Sequence, residues 1–371
     1  MKKITALCLV VLTLFTLTSC SLIREKEYAV SEYRTTMQYY DDFKILQLTD
    51  IHLGVESDVE LQLDAVRSKI SKEAPDLVVV TGDSFMYASR KIVKKLIKTL
   101  NEECAKVTAS RENERICKFA FTFGNHDNQG NYPRYFINKT ILKYTANDGD
   151  EVKENKFAAF VDFKNDNLFG LTNYYIDLVD GTTPEGYENV VYRLHIIDSN
   201  SYYFNGKDYD YDVIHEDQLA HVKKIYDTAT ADKDYIGIAF FHIPLVEFAA
   251  AKDQYINSST PENVGQGEWR EPKVLHGYEN NGAYQMLKEA NICAFFVGHD
   301  HENYGEIVYT DKDGEKAVFS YGVKCTNQLY HDTDMIGYKT ITLKKDVDFV
   351  TIENVNENIK NITTENAYYE K

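Results

Sequence analysis

The sequence predicts an α/β fold in which helices cover a β-sheet. Apolar runs of strand length alternate with segments whose apolar residues recur at helical spacing. The strand segments are continuously apolar, as Leu77-Val78-Val79-Val80 illustrates, which is typical of strands buried on both faces. The chain has 371 residues, of which 43% are hydrophobic, enough for one large core, and no second domain boundary is evident.

The predicted elements follow one another in regular alternation up to residue 123 and less regularly afterwards. The predicted strands are 43–48, 77–80, 118–123, 157–163, 173–178, 190–197, 235–241, 293–297, 304–310, 317–320, 338–344 and 349–352. The predicted helices are 59–73, 90–104, 137–144, 214–228 and 283–290. Residues 198–212 are rich in Tyr, Asn and Asp and predict a loop. Residues 244–280 lack a clear period, and loops of that length are often functional.

The N-terminus has the features of a targeting segment. Lys2 and Lys3 precede a nearly continuous apolar run over 4–17, which Leu17-Thr18-Ser19-Cys20 closes. This segment resembles a bacterial lipoprotein signal, which implies cleavage before Cys20 and a lipid on that residue. An ordinary signal peptide or an uncleaved anchor is the alternative. We therefore expect a signal peptide at 1–20, a tether at 21–42, a folded domain at 43–355 and a loose polar tail at 356–371, in a membrane-anchored protein outside the cytoplasm.

Charge and cysteine content exclude two classes of function. The net charge of −17 argues against stable nucleic-acid binding, which needs clustered Lys and Arg. An acidic chain can still take a phosphorylated substrate, because bound dications reverse the local field. The cysteines show no CxxC spacing, so a thiolate metal site is not expected. Cys104 and Cys117 flank a polar linker and could form a disulfide.

Five segments place metal-ligand residue types directly after apolar strands. Because the ends of successive parallel strands converge on one edge of an α/β sheet, side chains far apart in sequence can meet there. Asp, Asn and His supply oxygen and nitrogen ligands, which suit Mn, Fe, Zn or Co. Each segment alone is a weak signal, whereas all five in this order predict a metal site. The segments are Asp50-Ile51-His52, Gly82-Asp83, Gly124-Asn125-His126-Asp127, Phe241-His242 and Gly298-His299-Asp300-His301.

This order of motifs resembles the signature of the calcineurin-like metallophosphatases, from Asp50 to His301. The sequence around His242 and His301 is similar to that of the purple-acid-phosphatase-like branch. The resemblance implies a four-layer αββα sandwich of two mixed sheets flanked by helices. It also implies two metal ions: Asp50, His52 and His301 hold one, Asn125, His242 and His299 hold the other, and Asp83 bridges both. His126 would be a catalytic residue outside the ligand set, with Asp127 orienting its ring.

One position departs from the purple acid phosphatases. Their iron-binding Tyr stands three residues after the bridging Asp, where this chain has Met86, and Tyr87 comes one residue late. We therefore expect a colourless enzyme of the broader family.

The implied activity is the hydrolysis of phosphate esters. Two metal ions would lower the pKa of a bridging water, and the resulting hydroxide would attack phosphorus while His126 acts as general acid. The sequence leaves open a monoesterase, a phosphodiesterase or a nucleotide-directed hydrolase. A non-catalytic surface-binding lipoprotein on the same scaffold is the alternative of another class.

The expected substrate is a phosphorylated small molecule, and aromatic side chains could line its site. Tyr202-Tyr203-Phe204, Tyr209, Tyr211 and Trp269 could accept a base or aromatic leaving group. They could equally be ordinary half-buried loop aromatics. The remaining histidines are predicted to be structural or surface residues: His195, His215, His221, His276 and His331.

Overall fold

The computed structural model describes residues 28–54, 59–146, 157–160, 168–182, 184, 186, 188–228, 235–257, 265–331, 334–344, 349–356 and 362–368. The expected signal segment 1–20, including Cys20, lies outside these ranges. Within these ranges every helix is too short or too polar to cross a lipid bilayer.

The described elements form two mixed β-sheets and a short hairpin, with helices around them. The strands are β1 Arg34–Gln38, β2 Phe43–Leu48, β3 Leu77–Thr81, β4 Lys118–Thr122, β5 Tyr174–Thr182, β6 Glu188–Ile196, β7 Tyr202–Phe204, β8 Tyr209–Tyr211, β9 Ile236–Phe240, β10 Gly265–Trp269, β11 Ile292–Val297, β12 Asn303–Thr310, β13 Lys316–Tyr321, β14 Gly337–Leu343, β15 Phe349–Asn356 and β16 Ile362–Tyr368. The α-helices are α1 Val59–Glu73, α2 Arg90–Ser110, α3 Arg134–Ala146, α4 Glu216–Thr228, α5 Glu247–Ile256 and α6 Ala283–Glu289. Two 3-10 turns cover Val30–Tyr33 and His126–Asn128.

The larger sheet has the strand order β1-β5-β6-β9-β11-β13-β12-β10, and the smaller sheet has the order β16-β15-β14-β2-β3-β4. Strands β2, β3 and β4 are parallel, and so are β6, β9, β11 and β13. The carboxyl ends of β2, β3 and β4 therefore lie at one edge of the smaller sheet, and those of β9 and β11 at one edge of the larger sheet. These two edges position the candidate site.

Three apolar cores separate four layers. The middle core lies between the sheets and includes Val79 of the smaller sheet and Phe296 of the larger one. The other face of the smaller sheet, with Val78, packs against α1 and α2. The other face of the larger sheet, with Phe295, packs against α4, α5 and α6. This confirms the predicted fold class, an αββα sandwich, and explains the continuously apolar strands, because both faces of each sheet are covered.

The structure corrects several predicted boundaries. The predicted tether contains β1, which pairs with β5, and the predicted tail contains β16, which pairs with β15. The predicted loop 198–212 contains the β7–β8 hairpin, and the irregular segment 244–280 contains α5 and β10. The predicted strand 157–163 is reduced, in its described part, to one bridge between Ala158 and Phe119. Strand β1 pairs with a partner distant in sequence, and β7, β8, β10 and β16 are rich in polar or aromatic residues, so their local sequence gave little signal.

Candidate metal centre

The structure brings all seven predicted metal ligands together. Asp50 and His52 follow β2, Asp83 follows β3, Asn125 follows β4, His242 follows β9, and His299 and His301 follow β11. Every one of them is at most 5% exposed. The meeting of strand ends predicted from the apolar runs is therefore present, and it lies at the junction of the two sheets.

The side chains form two groups that share Asp83. Its Oδ2 lies 3.1 Å from Nε2 of His242 and 3.4 Å from Nε2 of His52. The first group contains Asp50, His52, Asp83 and His301, and the second contains Asp83, His242 and His299. Within each group, one ligand atom of every residue lies within 4.8 Å of the others. The geometry thus matches two neighbouring cation positions with Asp83 between them.

The buried polar atoms that lack hydrogen-bond partners point to the same conclusion. An unpaired buried polar atom costs roughly 1–3 kcal/mol, so a cluster of them needs an explanation. A cation would satisfy such a cluster, because each atom carries a lone pair suited to a metal bond. The residues present therefore fit metal ions. The atoms are Oδ1 of Asp50, Nε2 of His52, Oδ2 of Asp83, Oδ1 of Asn125 and Nε2 of His299.

The amide oxygen of Asn125 is buried and has no hydrogen-bond partner among the described residues. Its Nδ2 donates to the hydroxyl of Tyr202 at 2.8 Å, and its main-chain oxygen accepts from Oγ of Ser201 at 3.1 Å. These contacts hold the amide so that Oδ1 is the atom left for a metal, as the predicted ligand set requires.

Main-chain carbonyls orient two of the histidines. Nδ1 of His242 lies 2.9 Å from the oxygen of Thr81, and Nδ1 of His301 lies 2.9 Å from the oxygen of Tyr330. A carbonyl can only accept, so each Nδ1 carries a proton, and in the neutral form of the ring Nε2 keeps its lone pair. This tautomer is the one that binds a metal through Nε2.

His52 has a different neighbour, which sequence analysis did not identify. Nζ of the buried Lys324 lies 3.1 Å from Nδ1 of His52 and 3.3 Å from the main-chain oxygen of Asp50. Burial lowers the pKa of Lys324 to about 8. The one available signal was a lysine in the otherwise apolar or small stretch Gly322-Val323-Lys324-Cys325, beyond the recognised motifs.

Burial also affects the charge of the histidines among the candidate ligands. It lowers the pKa of His52 to about 3 and that of His299 to about 3, so both rings are neutral near pH 7. Neutral imidazole is the form that coordinates metals. At His242 burial opposes the charge, but the carboxylate of Asp83 outweighs it and raises the pKa to about 9. A metal at Nε2 would displace that proton.

The backbone of the site is strained. Asp50, His52, Asp83 and His299 all have positive φ, at 54°, 53°, 48° and 83°. Side-chain-bearing residues rarely adopt this conformation, which costs roughly 1–3 kcal/mol per residue. Such strain is typical of functional sites, where the surrounding fold holds ligands in place before the ligand arrives.

Gly124 and Gly298 are needed because the backbone approaches the ligands closely. A β-carbon on Gly124 would overlap the carboxylate of Asp83, and one on Gly298 would overlap the hydroxyl of Thr49. Any larger residue at either position would displace a carboxylate or the strand end that carries it.

His126 lies beside the ligand groups and opens toward solvent. Its main-chain N–H donates to Oδ1 of Asp83 at 2.8 Å, and its Nε2 lies 4.0 Å from Oδ2 of the same residue. Its side chain is 22% exposed, whereas the ligands are buried. This location suits a group that contacts substrate.

The predicted role of Asp127 in orienting the ring of His126 is wrong. Its two carboxylate oxygens accept from the main-chain N–H groups of Phe85, at 2.7 Å, and Gly124, at 2.8 Å. Nδ1 of His126 has no partner among the described residues. Asp127 is fully buried, and burial raises the pKa of its carboxyl to about 8. It therefore ties the β4 loop to the β3 loop, and sequence proximity to His126 was misleading.

The predicted aromatic cluster divides into site and surface residues. The ring of Tyr211 meets His299 edge-on with centroids 4.3 Å apart, and Tyr202 stacks on Tyr211 at 5.8 Å. Phe204 and Tyr209 are exposed and pack on each other. Tyr330, which sequence analysis missed, stacks on His301 at 4.3 Å and is 50% exposed. Trp269 packs instead on Tyr321.

Comparison with known proteins agrees with the fold and the site. The family model for calcineurin-like phosphoesterases matches residues 43–303. Phosphatase DCR2 of Saccharomyces cerevisiae is 28% identical over 284 residues, which are 70% of this chain and 44% of the yeast protein. Probable inactive purple acid phosphatase 29 of Arabidopsis thaliana is 26% identical over 291 residues, 71% of this chain and 67% of the plant protein. This chain thus spans less than half of the yeast relative's length.

Solved structures show the same fold at low sequence identity. A dimetal phosphatase from Danio rerio matches with a TM-score of 0.50 and 12% identity, over 89% of this chain and 100% of that one. GAP50 of Plasmodium, described as the anchor in the inner membrane complex, matches with a TM-score of 0.50 and 15% identity, over 90% of each chain.

The fold is that of the metallophosphatases, and the clustered ligands form a candidate metal site, as the sequence predicted. The chain belongs to the calcineurin-like phosphoesterase family.

Proposed function

We propose that this protein hydrolyses phosphate esters with two metal ions. Asp50, His52 and His301 would hold one ion, Asn125, His242 and His299 would hold the other, and Asp83 would serve both. The observation that carries the proposal is that two groups of ligand residues share Asp83 and contain four unpaired buried ligand atoms, those of Asp50, His52, Asp83 and His299. When bound, such ions bind phosphoryl oxygens and lower the pKa of a water molecule. Mn, Fe, Zn and Co all suit this donor set.

His126 is the proton donor in this proposal. Its ring is partly exposed and lies at the rim of the ligand groups, where a leaving oxygen would emerge. Its Nδ1 is unpaired among the described residues, so no hydrogen bond from this atom fixes the orientation of the ring. Proton donation to the leaving oxygen lowers the barrier to cleavage of the ester bond.

The site favours a phosphodiester or a broad range of esters. A dianionic monoester requires several cationic donors, and the nearby cations are engaged elsewhere. Lys324 faces His52 on the side of the buried ligands, and the guanidinium of Arg134 pairs with Asp198. A diester carries one charge fewer and needs fewer such donors. Met86 occupies the position of the iron-binding Tyr of purple acid phosphatases, and Tyr87 is 58% exposed. Both observations support a colourless enzyme.

Metal analysis combined with hydrolysis assays tests the proposal. Protein reconstituted with Mn, Fe, Co or Zn should bind two ions and cleave bis-p-nitrophenyl phosphate faster than p-nitrophenyl phosphate. Asp83→Asn should lose both activity and at least one ion, whereas Asp64→Asn, on an exposed part of α1, should change neither. Two bound ions without hydrolysis of either ester would favour the binding lipoprotein instead.

The N-terminal segment supports placement of this activity at a membrane surface. We propose that Cys20 carries lipid after cleavage of the chain just before it, so that the domain works outside the cytoplasm. Expression in a bacterial host should put the protein in the membrane fraction with a lipid-sized mass increase. Cys20→Ala should abolish the mass increase, and an unchanged mass in both proteins would refute the anchor.

A further inference from the structure

The β7–β8 hairpin brings a hydroxyl group to the metal centre. The hydroxyl of Tyr202 contacts Nδ2 of Asn125 at 2.8 Å and Nε2 of Gln129 at 3.2 Å. Ser201, the preceding residue, donates to the main-chain oxygen of Asn125 at 3.1 Å. The hairpin is therefore attached directly to the loop that carries a candidate metal ligand.

The two contacts determine whether the hydroxyl of Tyr202 can still donate a hydrogen bond. Both partners are amide nitrogens, which only donate, so the oxygen of Tyr202 is the acceptor in both hydrogen bonds. The phenolic proton is used by neither contact. The amide of Asn125 directs its Nδ2 to Tyr202, which leaves its buried Oδ1 unpaired among the described residues, as a metal ligand would require.

The ring is held so that the hydroxyl stays in place. Tyr202 stacks on Tyr211, whose edge rests on the ring of His299. Tyr202 is 36% exposed, so its hydroxyl lies where buried ligands and solvent meet. A substrate phosphoryl group bound at the ions would occupy this boundary.

We propose that the hydroxyl of Tyr202 donates a hydrogen bond to a phosphoryl oxygen of the substrate. This inference rests on the proposed function and adds a neutral donor that the sequence motifs did not supply. A neutral donor suits a singly charged phosphodiester, since it contributes a directed hydrogen bond without a cation. Asn125 and Gln129 direct its proton by occupying the acceptor sites of its oxygen.

The matched pair Tyr202→Phe and Tyr203→Phe tests the inference. Both changes remove one hydroxyl from the same strand and keep the ring. Tyr203 alternates to the other face of the hairpin and stacks on Tyr278 at 4.1 Å. Each full-length protein would be loaded with Mn²⁺, analysed for metal content, and titrated calorimetrically with inorganic phosphate. Hydrolysis of bis-p-nitrophenyl phosphate would be measured in parallel.

Loss of a hydrogen bond to a charged oxygen should weaken phosphate binding roughly 10- to 100-fold in Tyr202→Phe. Metal content should stay at the wild-type level, and Tyr203→Phe should match wild type within about twofold. Unchanged phosphate binding in Tyr202→Phe would overturn the inference. Loss of a metal ion would also overturn it, because Tyr202 would then serve to hold Asn125.

The two proposals fail in different ways. If wild type binds phosphate through Tyr202 but hydrolyses no ester, the donor role stands and the proposed function is wrong. If wild type hydrolyses esters and Tyr202→Phe is as active and binds phosphate equally well, only the donor role is wrong. If metal-loaded wild type binds no phosphate, the donor role is wrong as well.

Discussion

The amine of Lys324 lies 3.1 Å from Nδ1 of His52 at the base of the metal centre. The same amine reaches the main-chain oxygen of Asp50 at 3.3 Å, so one buried side chain contacts the loop that carries two candidate ligands. Groups behind metal-binding histidines set the orientation of the ring, and their loss typically costs about 10- to 100-fold in affinity or activity.

Lys324→Met should therefore weaken metal binding about 10- to 100-fold while the fold is retained. Methionine has a similar length and removes both contacts with the β2 loop. Competition with a metal chelator of known affinity measures the change. Lys339→Met is the matched control, because Lys339 is also fully buried but contacts Glu306 and Ser320. The control should lower stability without changing metal affinity, and equal metal affinities in the two variants would contradict a role for Lys324.

His126→Ala should keep the metal ions and lose about 10²- to 10⁴-fold in turnover, because it removes the proposed proton donor and no ligand. Metal content and kcat, measured on the same preparation, check this. His215→Ala is a suitable control, since His215 stacks on Phe169 and contacts Asp212, outside both ligand groups. Loss of metal from the His126 variant would make His126 a ligand.

We expect the protein to lose stability in acid because of His221. It is buried against Tyr28 and Tyr33, and its Nδ1 lies 2.9 Å from the hydroxyl of Tyr28. Burial lowers its pKa to about 4 in the folded protein, below the ordinary value of 6.5. The unfolded chain therefore binds a proton more readily between these values. The contribution of the neutral His221 ring to the free energy of unfolding is therefore fully present above pH 6.5. It is lost as the pH falls toward 4, by about 3 kcal/mol in total.

Urea unfolding at pH 7.5, 5.5 and 4.5 measures this contribution. His221→Gln keeps a hydrogen-bonding group and does not titrate, so its free energy of unfolding should fall less steeply with pH than that of wild type. Parallel pH dependences of the two proteins would show that His221 does not carry the effect.

We expect Cys104 and Cys117 to form a disulfide under oxidising conditions. Their sulfur atoms are 3.4 Å apart and buried, at the end of α2 and just before β4. Contact with Cys117, together with burial, raises the pKa of the Cys104 thiol, so exchange should be slow. Exchange with a small disulfide such as oxidised glutathione would form the Cys104–Cys117 bond and release two reduced thiols of the reagent.

The expected result is a mass loss of two hydrogens and roughly 3 kcal/mol of added stability, as for a loop of about this length. Intact mass and thermal unfolding before and after treatment check it. Cys104→Ser should show neither effect. A stable mixed disulfide on wild type, without internal bond formation, would contradict the prediction.

Much of the fold and of the site could be predicted from sequence, for a definite reason. Continuously apolar strands such as β3 and β11 are buried on both faces, so their local composition reports their place in the sandwich. Strand β1 gave no such signal, because its burial depends on pairing with β5, more than a hundred residues away. Strand β16 and the β7–β8 hairpin gave no such signal either, because their residues are mostly polar or aromatic.

The metal ligands were recoverable because each follows a strand and belongs to a motif, and strand ends must converge in an α/β sheet. The contacts that other groups make with those ligands could not be predicted from the sequence. Lys324 and Tyr330 come from loops whose path is set by tertiary packing, and Tyr202 was expected only as an aromatic lining residue, without its contact to Asn125. Asp127 accepts from main-chain N–H groups and does not contact the ring of its neighbour His126. Sequence by itself thus determined which residues form the candidate metal site, since their spacing and the direction of the strands suffice for that. Only the tertiary structure decided which groups orient them and face the substrate, because hydrogen-bond partners are selected by three-dimensional proximity.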